Sequence, residues 1–543
     1  MAGQLMAGQR LKWWTLIAAC FALFMAILDN LVVNIALPTI SRELSATTTQ
    51  LQWIVSAYTL IFASLQITAG GLGDRLGRKR WFLFGLGLFT CASLLGALSQ
   101  NITMLILARA VQGLGAAFIM PLSLSLISVA FPPEERGKAL GIWSAISVSG
   151  LALGPIVGGF LVQYANWHWV FIINIPIGIV AFFVASAVVQ ESRDTSGTVA
   201  TDIPGTLLIT GAIASLTWGL IEAGDRGWGD TLILAAFAAA AILTATFIWV
   251  EAHTEKPMVP LRFFRSSTFS GANMDAFAVS FLIAGVAFYM TLYQQNIHGF
   301  SPVRAGLTML PMVITMMFFA PLSGQLIGRV GSRALISLGM MIAGIGTLLY
   351  LRGGVNASYL TIVPAYIVMG FGMSLIFAPM TTAVLNSVEN EKSGVASAIN
   401  GAIREIGSAF GIALLGTIMN RVYQNQYNAS ETIVQTRANP ASAPFKSLID
   451  LIGSGMSFAG RVIEDPKRFP GLPPTVAAQI RDASGHAFIS GMDRAIVVSS
   501  AVIIVCSVVS YFLIKSPVAT TTAGLTDAFV DDEARVPELI EAD

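Results

Sequence analysis

Six ionisable side chains fall inside long apolar stretches of this sequence: Asp29, Arg109, Glu222, Asp275, Arg404 and Glu405. Placing such a group in hydrocarbon costs about 2.5–3.5 kcal/mol on insertion scales, so each is a candidate for binding or moving charge. Asp29 lies nine residues before Pro38, and Arg109 lies about six residues into its own apolar stretch, counted from the same side. At a rise of about 1.5 Å per residue both sit at a similar depth, roughly 9–14 Å below one surface, within reach of each other. A carboxylate facing a guanidinium can bind and release a proton in turn, or stand as a fixed structural ion pair, and spacing alone leaves both readings open. Asp275 and Glu405 share a depth measured from the opposite side, where they are candidates for recognising a substrate cation or for a second proton site. Helix neighbours point about 100° apart, so of Arg404 and Glu405 one is expected to face a site and the other to pack within the bundle. Glu222 closes its stretch and reads as a solvated end residue.

Chemistry of other kinds finds little purchase. The four histidines, His168, His253, His298 and His486, stand at the ends of apolar stretches or between them, and the three cysteines, Cys20, Cys91 and Cys506, stand inside them as packing residues. There is no phosphate-binding glycine loop followed by Lys and no zinc-binding helix motif, so neither catalysis, a cofactor, a metal nor ATP drive is expected.

The elements that position these groups follow from composition. Of 543 residues 55% are hydrophobic and 11% charged, against roughly 25% charged in soluble proteins. A net charge of +1, from 31 basic and 30 acidic residues, gives no reason to expect a nucleic-acid partner. A membrane-crossing helix needs about 20 mostly apolar residues. Fourteen stretches qualify, at 13–37, 50–73, 81–99, 103–128, 138–162, 169–189, 204–222, 230–251, 270–293, 304–327, 334–352, 359–384, 397–419 and 494–514. The first lacks a small-residue cleavage site and is expected to stay as a helix.

Orientation follows from basic residues in short loops. Arg10 and Lys12, Arg75 to Arg80, Arg136 and Lys138, Arg193, Lys256, Arg262, Arg265, Arg329, Arg333, Lys392 and Lys515 all fall on one side; Arg42, Arg226, Arg304 and Arg352 fall on the other. Both termini are therefore expected to be cytoplasmic. The segment 420–493 is the one long loop and lies outside; its apolar stretches 445–463 and 474–492 read either as short helices on the outer surface or as a loose tether. The acidic tail 515–543 reads as disordered.

The chain repeats itself. Gly70, Arg75 and Gly77 in GGLGDRLGRKR match Gly324, Arg329 and Gly331 in GQLIGRVGSR, with Gly328 in place of Asp74. Parallel repeats of this kind put a site between two halves near the midplane. The expected organisation is all-α and membrane-integral: a cytoplasmic N-terminus 1–12, a six-helix bundle 13–189, an inserted helix pair within 190–269, a second six-helix bundle 270–514 and a tail 515–543.

Three motifs sharpen this: GLGDRLGRK with Gly71, Asp74, Arg75, Gly77 and Arg78; RAVQGLGAA from Arg109; and GLALGPIVGGFL with Gly150, Gly154, Pro155, Gly158 and Gly159. Together they resemble the signature motifs of the major facilitator superfamily, the third being characteristic of its drug-exporting branch. LDNLVVNIALP at 28–38 and WHWVFIINIPIG at 167–178 narrow the resemblance to the fourteen-helix drug:proton antiporters of the EmrB/QacA type. That resemblance implies a major facilitator fold of two pseudo-symmetric bundles, with Asp29 and Arg109 in proton coupling. It also implies a conformational latch in the Asp74 block and a bend and close-packing site at the Gly-Pro helix. The family pattern usually has glutamine where this chain has Glu405, and often proline where it has Thr291.

Methionines and aromatics crowd stretches nine to twelve, among them Met309, Met312, Met316, Met317, Phe281 and Tyr289, with Tyr293 and Gln294 closing the ninth. Such a lining accepts lipophilic cations loosely, although most of these side chains must face lipid or other helices. The expected function is proton-coupled export of lipophilic, often cationic small molecules by alternating access. The alternative is export of one endogenous lipid, siderophore or secondary metabolite. The expected setting is a bacterial inner membrane, with a monomer, small-molecule substrates, protons and lipid as partners and accessory efflux proteins open.

Overall fold

The computed structural model describes residues 2–44, 48–193, 203–254, 257, 259–389, 392–439, 444–454 and 473–515. The acidic tail beyond 515, and the Pro-rich segment within 455–472, lie outside the described residues. All regular structure among the described residues is helical. Thirteen helical segments there are long and apolar enough to cross a membrane. The remaining expected span, 138–162, falls within a 32-residue helix.

The first bundle contains α1 (Ala2–Glu43), α2 (Thr48–Leu76), α3 (Arg78–Ala97), α4 (Ile102–Ala130), α5 (Pro133–Tyr164), and a span broken into α6 (Trp169–Ile172) and α7 (Asn174–Val188). Local chemistry sets these limits: the Asn101 side chain caps α4 by accepting from Met104 N–H at 2.9 Å, and Pro133 sits in the first turn of α5. The inserted pair is α8 (Ile203–Arg226) and α9 (Thr231–His253).

The second bundle contains α10 (Ser267–Leu292), continued by one π-helical turn over Tyr293–Ile297, then α11 (Pro302–Leu307), α12 (Leu310–Val330), α13 (Ser332–Leu348), α14 (Tyr359–Ser374), α15 (Phe377–Asn386) and α16 (Ser393–Ala429). Beyond it come α17 (Glu431–Ala438), α18 (Lys446–Ser454) and α19 (Pro474–Leu513).

The sequence repeat has a backbone counterpart. Gly77 between α2 and α3 has φ 118°, and Gly331 between α12 and α13 has φ 82°, a conformation that side chains resist. The expectation for 474–492 needs correction: it is neither a separate surface helix nor a tether, because α19 runs unbroken for 40 residues. Its first turns bury Val476, Ile480 and Ala483 in one apolar cluster with Tyr423, Tyr427, Ile433 and Ile449. The α16 helix likewise overshoots its expected end at 419, since Tyr423 and Tyr427 complete the same cluster.

The methionines mostly fill the core of the second bundle. Met312, Met316, Met340, Met369, Met373 and Met380 are buried in it, whereas Met317 is exposed.

Candidate functional site

Asp29 is fully buried on α1, and the first bundle converges on it. Its Oδ2 accepts from Arg109 Nη1 of α4. Its Oδ1 accepts from Gln112 Nε2 at 3.1 Å and from Asn174 Nδ2, at the start of α7, at 2.7 Å. Both amides also reach Ser93 Oγ of α3, at 3.2 and 2.9 Å, and Ser93 donates to the Phe171 carbonyl. Arg109 is held from its other side, donating from Nε to the Ile54 carbonyl at 3.2 Å and lying 4.4 Å from the centre of the Tyr58 ring on α2.

This geometry is a charge-balanced carboxylate with three side-chain donors from two further helices. These donors tie the packing of α1, α4 and α7 to this buried carboxylate. Gln112 stands in a quoted motif, but Ser93 and Tyr58 carry no sequence signal beyond being polar in apolar helices. Asn174 stands in the stretch WHWVFIINIPIG and interrupts the sixth span, where α6 gives way to α7.

The second cluster spans both bundles at the end that carries the basic loops. Asp74, at the end of α2, pairs with Arg78 at 2.7 Å, both nearly fully buried. Its Oδ2 accepts the Val395 N–H at 2.9 Å, so a carboxylate of the first bundle caps the first turn of the 37-residue helix α16. Ser125 of α4 bridges to Ser393 at 2.9 Å beside it. Close packing requires Gly70 and Gly394, since a β-carbon on Gly70 would fall 2.6 Å from the Gly394 carbonyl oxygen. The matching contact between α5 and α12 has no carboxylate: Gly137 meets Gly324, and a β-carbon on Gly137 would lie 2.6 Å from the Gly324 carbonyl oxygen.

The Gly-Pro stretch packs α5 on α1. β-Carbons on Gly150, Gly154 and Gly158 would fall 3.1 Å from Ile27, 2.5 Å from Leu31 and 3.1 Å from Val32. These contacts flank Asp29, and α5 continues as helix through this stretch. The side chain of Pro155 lies outside the described residues.

The remaining candidates are not brought together. Asp275 faces α19, accepting from Ser510 Oγ at 2.8 Å, while its Oδ1 has no partner among the described residues. Glu405 lies on α16 next to Arg404. The Arg404 guanidinium lies 5.3 Å from the centre of the Phe377 ring. Tyr293 donates to the Gly354 carbonyl at 2.9 Å and anchors a loop, and Gln294 beside it is buried. Glu222 pairs with Arg226 at 2.9 Å on the α8 surface. His298, just past the α10 span, packs 4.8 Å from the Tyr293 ring, and burial lowers its pKa.

Comparison with known proteins places these sites in context. Residues 19–412 match the family described as the Major Facilitator Superfamily. The chain is 32% identical over 538 residues to the tetracenomycin C resistance and export protein of Streptomyces glaucescens, covering 94% of this chain and 95% of that one. It is 36% identical over 411 residues to the multidrug resistance protein Stp of Mycobacterium tuberculosis, covering 76% of each. Among solved structures, a double-Trp variant of XylE superposes with a TM-score of 0.60 at 14% identity, covering 96% of this chain and 99% of that one, which speaks to the fold alone.

Proposed function

The chain belongs to the Major Facilitator Superfamily, as a multi-pass membrane transporter of small molecules and not an enzyme, and from that premise we propose that it exports drug-like lipophilic molecules in exchange for protons. Its similarity to antibiotic-resistance and export proteins supports the direction and substrate class. The observation that carries the proton coupling is the fully buried Asp29 carboxylate, paired with Arg109 and held by Gln112 and Asn174. In this reading an outside proton neutralises Asp29, loosens its hold on α4 and α7, and lets the bundles rock; release of the proton inward restores the pair.

The basic loops are read as cytoplasmic, with both termini on that side of a bacterial inner membrane. Asp74 then acts as the inner latch, closing the first bundle onto the N-terminus of α16. Arg75, Gly77 and Arg78 shape the turn that carries it, while Gly150, Gly154 and Gly158 keep α5 close on α1. Asp275, Arg404, Glu405, Tyr293 and Gln294 are dispersed, so we assign no second proton site to them as a group. Of the five we read Glu405, on the helix α16 that packs against α2 of the other bundle, as the residue that meets a substrate cation.

The test uses inside-out vesicles holding a proton gradient, with tetraphenylphosphonium added and the gradient followed by a pH-sensitive dye. Substrate-dependent collapse of the gradient is expected, and Asp29→Asn is expected to abolish it. Full collapse in Asp29→Asn vesicles would remove the carboxylate from the coupling step.

A further inference from the structure

The seam between α2 and α16 changes character along its length. At the latch end Gly70 meets Gly394, and Asp74 caps α16. One turn toward the midplane Gln66 faces Gly401.

Gln66 is fully buried, and neither its amide nitrogen nor its amide oxygen has a hydrogen-bond partner among the described residues. Gly401 explains how it fits: a β-carbon there would collide with the Gln66 amide oxygen. The glycine makes room for the amide and offers it nothing to bond. Ser397, one helical turn away on α16, is buried with its hydroxyl equally unpartnered.

A buried amide without a protein partner disfavours the conformation that contains it, and it is relieved when the two helices part. A primary amide offers two N–H donors and a carbonyl acceptor, a set complementary to uncharged groups that both accept and donate. It adds no charge to attract a cation.

We propose that Gln66 is a specificity residue of the transport site, unmasked when the α2/α16 seam opens, where it binds the carbonyl and hydroxyl groups of uncharged substrates. This rests on the export reading above, and it widens the substrate class from lipophilic cations to neutral hydrogen-bonding molecules. Cations lacking such groups do not use it.

The experiment measures equilibrium binding of chloramphenicol, which is neutral and carries an amide and two hydroxyls, and of tetraphenylphosphonium, which has no hydrogen-bonding group. The full-length protein and its Gln66→Leu and Gln66→Asn variants are compared. Gln66→Leu is expected to weaken chloramphenicol at least about tenfold, as loss of one or two hydrogen bonds would, and to change tetraphenylphosphonium less than about threefold. Gln66→Asn should recover part of the loss. Leucine removes the orphaned amide, so thermal stability should hold or rise. Equal weakening of both ligands would mark a merely structural role and overturn the proposal. So would unchanged chloramphenicol affinity in Gln66→Leu, or no chloramphenicol binding by the unaltered protein. Absence of tetraphenylphosphonium binding by the unaltered protein would instead count against the export of lipophilic cations.

Discussion

Asp29 in the first bundle accepts from Arg109, Gln112 and Asn174, while Asp275 in the second accepts from Ser510 and has an oxygen without a partner among the described residues. The two seams differ in the same sense. Where α2 meets α16, a buried Asp74 caps a helix of the other bundle; where α5 meets α12, Gly328 stands at the matching position and the contact is glycine on glycine. The inserted pair adds to the imbalance. Ile213 of α8 packs with Ala63 and Ile67 of α2, and Thr210 bonds Thr68 at 3.2 Å, so the α2 side gains a further layer. A duplicated scaffold thus keeps its symmetry in helix packing and lets go of it in charge, because close packing is needed at both seams whereas a buried acid is useful only where partners balance it.

The largest break in this comparison is expected at Arg109. Arg109→Leu leaves Asp29 buried without its cation, and losing one partner of a buried pair costs about 3–5 kcal/mol. A marked fall in the detergent-solubilised melting temperature is expected; an unchanged value would mean that the pair carries no structural weight.

Asp74→Asn should come next. It keeps the shape and removes the charge that holds the α16 N-terminus, where charge-assisted bonds contribute about 1.5–3 kcal/mol. In a background with Cys20, Cys91 and Cys506 replaced by serine, a cysteine placed at Ser393 should then react with a polar maleimide about tenfold faster or more. Equal rates would show that the latch does not depend on Asp74.

Asp275→Asn tests the other acid. The amide can still accept from Ser510, and no cation loses its partner, so stability should change by less than about 1 kcal/mol. A loss as large as that of Arg109→Leu would mean that Asp275 is ionised against a partner this arrangement lacks.

The smallest effect is expected from Gly328→Asp, which restores the missing acid of the repeat at a position with room for a side chain. A carboxylate at a helix N-terminus contributes about 0.3–1 kcal/mol, and Glu134 and Glu135 in the first turn of α5 oppose it. Export should slow by less than about fivefold. A block of transport would show that two polar latches are incompatible with opening.

Much of this was legible in the residues before any coordinates. Apolar length determined a bundle of membrane helices, because hydrocarbon admits few alternatives. The repeat of Gly77 as Gly331 marked both turns, since positive φ demands glycine. Equal depth predicted that Asp29 and Arg109 could meet. Depth says nothing of direction around a helix, however, and only the tertiary structure decided that Asp275 faces α19. It alone recruited Asn174, Ser93 and Tyr58 to the Asp29 site, since a lone polar residue in an apolar helix gives no sign of its partner. It joined 474–492 to the last helix, a stretch whose burial depends on Tyr423 and Tyr427, about fifty residues earlier in the chain. And it set Gln66 against Gly401, where an unpaired amide exists only because two helices from different halves close on each other.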